Sequence, residues 1–144
     1  FEIIGFDAPK HLHCPKNIRL FGEKTHDEII QIARNWSLSI IPFKNNELSR
    51  AVDPIKLYEY QALGLVCVSC QMDQIIDYPF TFIYKKDEDF ITVIDEALKY
   101  TPTKQEWKDL RLFTEKTSWR ERLIKTLEIS QILDEHKTKR ENVR

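Results

Sequence analysis

The run Leu65-Val66-Cys67-Val68-Ser69-Cys70 is short, rich in β-branched residues and apolar on both faces. A strand of that kind has to be covered on both sides, which is the condition of an inner strand in a parallel sheet. Directly before it, Asp53 to Gly64 reads as one helix. Pro54 has a fixed φ and no N–H, both tolerated in a first helical turn, and Asp53 stands before it as the N-cap candidate. Ile55, Tyr58 and Ala62 recur at helical spacing on one face; Lys56, Glu59 and Tyr60 project from other sides, and Gly64 ends the helix.

The rest of the chain repeats this alternation. Phe1 to Phe6 and Asn17 to Gly22 read as strands, separated by an irregular loop that holds His11, His13 and Cys14. That trio lacks a fourth ligand for zinc and reads as a polar surface loop. Thr25 with Glu28 three residues on is a capping-box pattern, opening a helix whose apolar side is Ile29, Ile30, Ile32, Ala33 and Trp36. Leu38 to Phe43 is the next strand, followed by a polar loop from Lys44 to Val52. Gln71 to Asp77 reads as a short helical segment and Thr81 to Tyr84 as a last strand. Asp87, Glu88 and Asp89 place carboxylates at the start of a helix, where the macrodipole favours them. Phe90, Val93, Ile94, Ala97 and Leu98 form its core stripe. From Thr103 to about Leu133 the pattern is helical, with Trp107, Leu110, Phe113, Trp119, Leu123, Ile124 and Leu127 as anchors. The tail, 134–144, loses apolar periodicity and reads as disordered. The fold class is therefore α/β, a Rossmann-like, mainly parallel sheet with helices on both faces, spanning residues 1–133.

The chemistry concentrates at the helix that starts near Pro54. A helix N-terminus behind a polar loop attracts anions, because its first N–H groups lack partners and the macrodipole adds partial positive charge. Lys56 adds a full charge. Glu59, one turn further in, repels a phosphate and suits a neutral donor group such as the diol of a ribose. Phosphate at the helix tip with ribose on a carboxylate one turn down is the layout of a nucleoside-diphosphate site. Ligands of open parallel sheets bind beyond the carboxyl ends of the strands, where the loop 44–52 lies.

The phrase Asp53-Pro54-Ile55-Lys56-Leu57-Tyr58-Glu59-Tyr60, followed by Ala62-Leu63-Gly64 and a Val-rich strand, resembles the donor-binding segment of GT-B glycosyltransferases, above all the bacterial group-1-like enzymes. The resemblance implies the C-terminal, nucleotide-sugar-binding half of such an enzyme. It assigns Lys56 to the donor diphosphate or sugar and Glu59 to the ribose hydroxyls, with Ser49, Arg50, Pro54, Ile55 and Leu57 as further donor contacts. Arg50 can bind phosphate in bidentate fashion. Gly22 and Glu23 would form a loop on the base side of the nucleotide. Ser118-Trp119-Arg120-Glu121-Arg122 resembles the Trp-containing stretch before the terminal helix of these transferases. Many members carry a second glutamate eight residues before the ribose-binding one; here that position is Ala51.

The implied reaction passes a sugar from a nucleoside-diphosphate donor to a hydroxyl acceptor, in synthesis of bacterial surface polysaccharide or glycolipid. The acceptor pocket and any catalytic base would lie on an N-terminal domain absent from this chain, so the fragment alone is expected to bind nucleotide without turnover. No cofactor or metal is expected. Three cysteines make an odd count without a disulfide framework, which favours a reducing cytoplasm. Any association with the inner face of the membrane would run through the absent half. A net charge of -1 gives no reason to expect nucleic acid as a partner. The chain opens on Phe1 with strand-like sequence, as a piece of a longer protein would. Two other readings compete: half of a nucleotide-sugar 2-epimerase, whose donor segment lacks the Lys-x-x-Glu-Tyr phrase, and a non-catalytic α/β interaction module.

Overall fold

The computed structural model describes residues 1–5 and 14–141, with side chains as far as residue 132. His11 and His13 of the sequence-level trio lie outside the described residues. The chain divides into two compact units, Phe1–Ser37 and Leu38–Arg144.

The first unit holds β1 (Glu2–Ile3), β2 (Arg19–Leu20) and α1 (His26–Ala33). The two strands pair in parallel, Glu2 opposite Arg19 and Ile3 opposite Leu20. Helix α1 starts on the expected capping box: the Thr25 side chain accepts from Glu28 N, and Glu28 Oε2 accepts from Thr25 N at 2.8 Å. Two orphan donors are thereby satisfied at once. Ala33 is buried, whereas Ile30, expected on the apolar side, is exposed.

The second unit holds the hydrophobic core. Its elements are β3 (Ser39–Ile41), α2 (Glu47–Arg50), α3 (Ile55–Ala62), β4 (Cys67–Cys70), β5 (Thr81–Tyr84), α4 (Phe90–Lys99), α5 (Lys104–Lys116) and α6 (Trp119–Glu141), with a 3-10 turn over Asp87–Asp89 before α4. The three strands form a parallel sheet in the order β3-β4-β5, Val68 lying between Ile40 and Phe82. The fold is thus α/β, with small parallel sheets flanked by helices. All four residues of β4 are buried, as an apolar run without a polar face requires. Among the described residues, no helix is long and apolar enough to cross a membrane.

Gly64 closes α3 at φ +75°, the left-handed conformation expected of a helix-ending glycine. A Cβ there would also stand 3.2 Å from the Trp107 ring, which lies over the turn. Gly64→Ala should therefore cost about 1–2 kcal/mol from backbone conformation alone, with the crowding of Trp107 added, and denaturant unfolding would read it as a lower midpoint at unchanged slope.

Several expectations need correction. The loop 44–52 contains a helical turn, α2, because Asn46 caps it: its Oδ1 accepts from Ser49 N at 2.9 Å while Ser49 Oγ accepts from Asn46 N at 3.0 Å. The segment from Gln71 to Asp77 is a series of turns rather than a helix. The Asp73 N–H is bonded to Arg50 O at 2.9 Å, and Met72 and Ile75 are drawn into the core. Helix α3 buries Pro54, Leu57 and Gln61, not Ile55 and Ala62, which are exposed. Gln61 tolerates that position because its amide nitrogen donates to Pro79 O at 2.5 Å. Leu98 is exposed beside a buried Ala97. Of the expected C-terminal anchors Leu110 is buried and Phe113 half-buried, whereas Trp107, Trp119, Leu123, Ile124 and Leu127 are exposed. Helix α6 runs on to Glu141, through most of the stretch expected as a tail.

Candidate functional site

Parallel strands send their carboxyl ends to one edge of the sheet, and in this unit that edge is built from three exits. After β3 the chain passes Phe43, whose carbonyl accepts from the Tyr84 hydroxyl at 3.2 Å, and Asn45, whose amide donates to Lys85 O at 2.6 Å. After β4 it passes Asp73, bound through its N–H to Arg50 O. These bonds tie α2 to the exits of β4 and β5. The polar turn that carries Ser49 and Arg50 therefore stands at the edge where ligands of parallel sheets bind.

Ser49 is buried, and its hydroxyl is engaged by Asn46: it accepts from Asn46 N and donates to Asn46 O, each at 3.0 Å. Arg50 is exposed, with Nε 3.6 Å from Asp73 Oδ1 and the guanidinium about half open to solvent. The backbone then runs through Ala51 and Val52 into α3.

The start of α3 differs from its expectation in one instructive way. Asp53 does not cap it. Pro54 occupies the N-cap position without a side-chain hydrogen bond, whereas α1, α2 and α5 each begin on a complete capping box. The Asp53 carboxylate folds back along the helix, where Oδ1 accepts from the Tyr58 hydroxyl at 2.7 Å and Oδ2 lies 3.8 Å from Arg122 Nη2. With its proton committed to Asp53, the Tyr58 oxygen accepts from the Tyr78 hydroxyl at 3.0 Å. Burial, followed by these bonds, pushes the Tyr58 pKa well above the ordinary phenol value, so it remains a donor at neutral pH.

Lys56 and Glu59 project from the exposed side of α3 and meet each other, Nζ to Oε2 at 2.7 Å. An exposed ion pair at that spacing is worth about 0.2–1 kcal/mol, small enough for a ligand to displace. Ile55 is exposed beside them. Pro54 and Leu57 are buried, so Leu57 packs in the core and reaches no ligand with its side chain. In the first unit, Gly22 takes φ +68° in the turn after β2, and Glu23 is exposed with its carbonyl accepting from Lys24 Nζ at 3.3 Å. Arg50, Lys56 and Glu59 therefore share one short stretch of the second unit, while Gly22 and Glu23 belong to the other unit.

The two cysteines of β4, Cys67 and Cys70, are free thiols buried in the core. Burial pushes the Cys67 thiol up to about 12 and raises that of Cys70 as well, so both stay protonated at neutral pH. Among the described residues no cluster of His, Cys, Asp and Glu is arranged to hold a metal ion.

Sequence reasoning missed the pairing of Asp53 with Arg122 and Tyr58. The Asp53–Tyr58 contact had a local signal, two polar residues five apart; Arg122 had none, since the chain returns to α3 only through the α5–α6 corner. Comparison with known proteins finds no matching family model, no similar curated protein and no similar solved structure.

Proposed function

We propose that this chain is the donor-binding part of a nucleotide-sugar-dependent transferase, gripping a nucleoside diphosphate at the opening turn of α3. Within that class, the segment from Asp53 to Gly64 fits the GT-B enzymes of the bacterial group-1 type, which pass a sugar to a hydroxyl acceptor. Catalysis would then need a second, acceptor-binding domain, and surface polysaccharide or glycolipid synthesis at the cytoplasmic side of a membrane is the corresponding role.

One observation carries the reading. The N-terminus of α3 has no side-chain cap, and exposed Lys56 stands in its first turn, directly after the turn of Arg50 at the carboxyl edge of a parallel sheet. Uncapped N–H groups, the macrodipole and two cations favour the diphosphate leaving group. Glu59, one turn on, would take the ribose diol once Lys56 leaves it for phosphate. A non-catalytic α/β module is favoured by a different observation, the closed Lys56–Glu59 pair, which satisfies both groups without any ligand.

Titration with uridine, guanosine and adenosine diphosphates, followed by tryptophan fluorescence, separates the two. The transferase reading expects one base to be preferred and Glu59→Ala to weaken that ligand by about tenfold or more, since a hydrogen bond to a charged group contributes about 1.5–3 kcal/mol. Absence of binding by all three supports the module instead.

A further inference from the structure

Helix α6 follows α5 at a corner where Thr117 and Ser118 interrupt the helical run between Lys116 and Trp119. Beyond that corner its packing is sparse. Glu121 and Arg122 are half-buried, whereas Trp119, Arg120 and every residue from Leu123 to Ile132 are exposed, Trp119 at 72%.

Arg122 makes the attachment. Its Nε donates to Thr117 O at 3.2 Å, and Nη2 lies 3.8 Å from Asp53 Oδ2. The guanidinium carbon stands 4.6 Å from the Tyr58 ring centroid and 5.7 Å from that of Trp119. Tyr58 is held in turn by Asp53, Tyr78 and a parallel stack on Phe113 at 6.2 Å, which fix the orientation of the ring that receives Arg122.

We infer that α6 is a hinged arm, pivoting at Thr117–Ser118 and latched to α3 by Arg122, with the Asp53 carboxylate and the Tyr58 ring as the two halves of the catch. A long helix with an exposed surface gains little from burial when docked. Partly exposed ion pairs and cation–π contacts are individually weak, so a single substitution at the latch shifts the balance between docked and released arm. Both halves of the catch stand at the start of α3, Asp53 just before its N-cap and Tyr58 in its first turn. A displacement of that turn therefore biases the arm, and the state of the arm biases that turn by the same factor. The inference concerns the arm alone and stands whether or not α3 binds a nucleotide.

The test is a distance distribution between spin labels on the full chain, placed at Glu96→Cys on α4 and Glu128→Cys on α6, with Cys14→Ser to leave only the buried native thiols. The parent chain should show one narrow distance. Arg122→Ala should raise the released fraction by about tenfold, seen as a broad component at other distances. Arg122→Lys, which keeps the charge but not the planar stack, and Asp53→Asn should each give a smaller broad component. An Arg122→Ala distribution as narrow as the parent's overturns the inference, as does a parent distribution already as broad as the variant's. Should Arg122→Ala fail to fold, the parent in rising salt supplies the same reading: broadening as the ion pair is screened supports the latch, and an unchanged distribution in both salt and Arg122→Lys contradicts it.

Discussion

Leu57→Ala is expected to lower the free energy of unfolding by about 2–5 kcal/mol, the range for deleting a fully buried leucine. Leu57 is fully buried and belongs to the core cluster that contains Val68, Met72 and Ile75. Domains of this size are stable by only about 5–15 kcal/mol, so the variant should lose a large part of its margin. Chemical denaturation checks this directly. The same substitution at Ile55, two residues earlier and exposed, should change the midpoint little. The contrast tests the orientation of α3 as well as its packing, because a helix rotated to bury Ile55 would reverse the two effects.

Lys56→Ala should reduce nucleoside-diphosphate affinity by about tenfold to a hundredfold, corresponding to about 1.5–3 kcal/mol for a hydrogen bond to a charged group. Folding should be nearly unaffected. Among the described residues, Lys56 pairs with Glu59, an exposed contact that contributes about 0.2–1 kcal/mol. Calorimetric titration measures the first effect and thermal unfolding the second. A loss of binding accompanied by a comparable loss of stability would mean that the lysine acts through the fold rather than on the ligand.

The elements most legible in the sequence were those written in local terms. The capping box of Thr25 and Glu28, the stop at Gly64, the buried strand Cys67–Cys70 and the strand Thr81–Tyr84 all follow from short patterns. What escaped depended on distant partners. Asp53 has the residue type and position of an N-cap, yet its carboxylate is drawn to Tyr58 and to Arg122, which arrives from another helix. Gln61 is buried because Pro79, far along the chain, supplies an acceptor for its amide nitrogen.

Phe80 is a sharper case. It adopts φ +56°, a conformation that costs a bulky residue on the order of 1–3 kcal/mol. Its ring is held edge-on to Trp107 at 4.8 Å and to Tyr100 at 5.8 Å, and its carbonyl accepts from Cys67 N at 2.8 Å. Those contacts, from α5, the end of α4 and the central strand, offset the strain. No window of sequence around Phe80 contains them. For the candidate site, Arg50, Lys56 and Glu59 could be read together from the sequence because they lie within ten positions of one another, and the pairs they form are Arg50 with Asp73 and Lys56 with Glu59. Burial of Leu57 could not be read, since the phrase that contains it leaves the rotation of the helix open.

The most direct measurement is the amide spectrum of the isotopically labelled chain during titration with a nucleoside diphosphate. The account predicts that the largest shifts fall on Ile55 and Lys56, with smaller ones at Arg50 and Glu59, and that they saturate together. Shifts confined to other elements, or a spectrum unmoved at millimolar ligand, would contradict it.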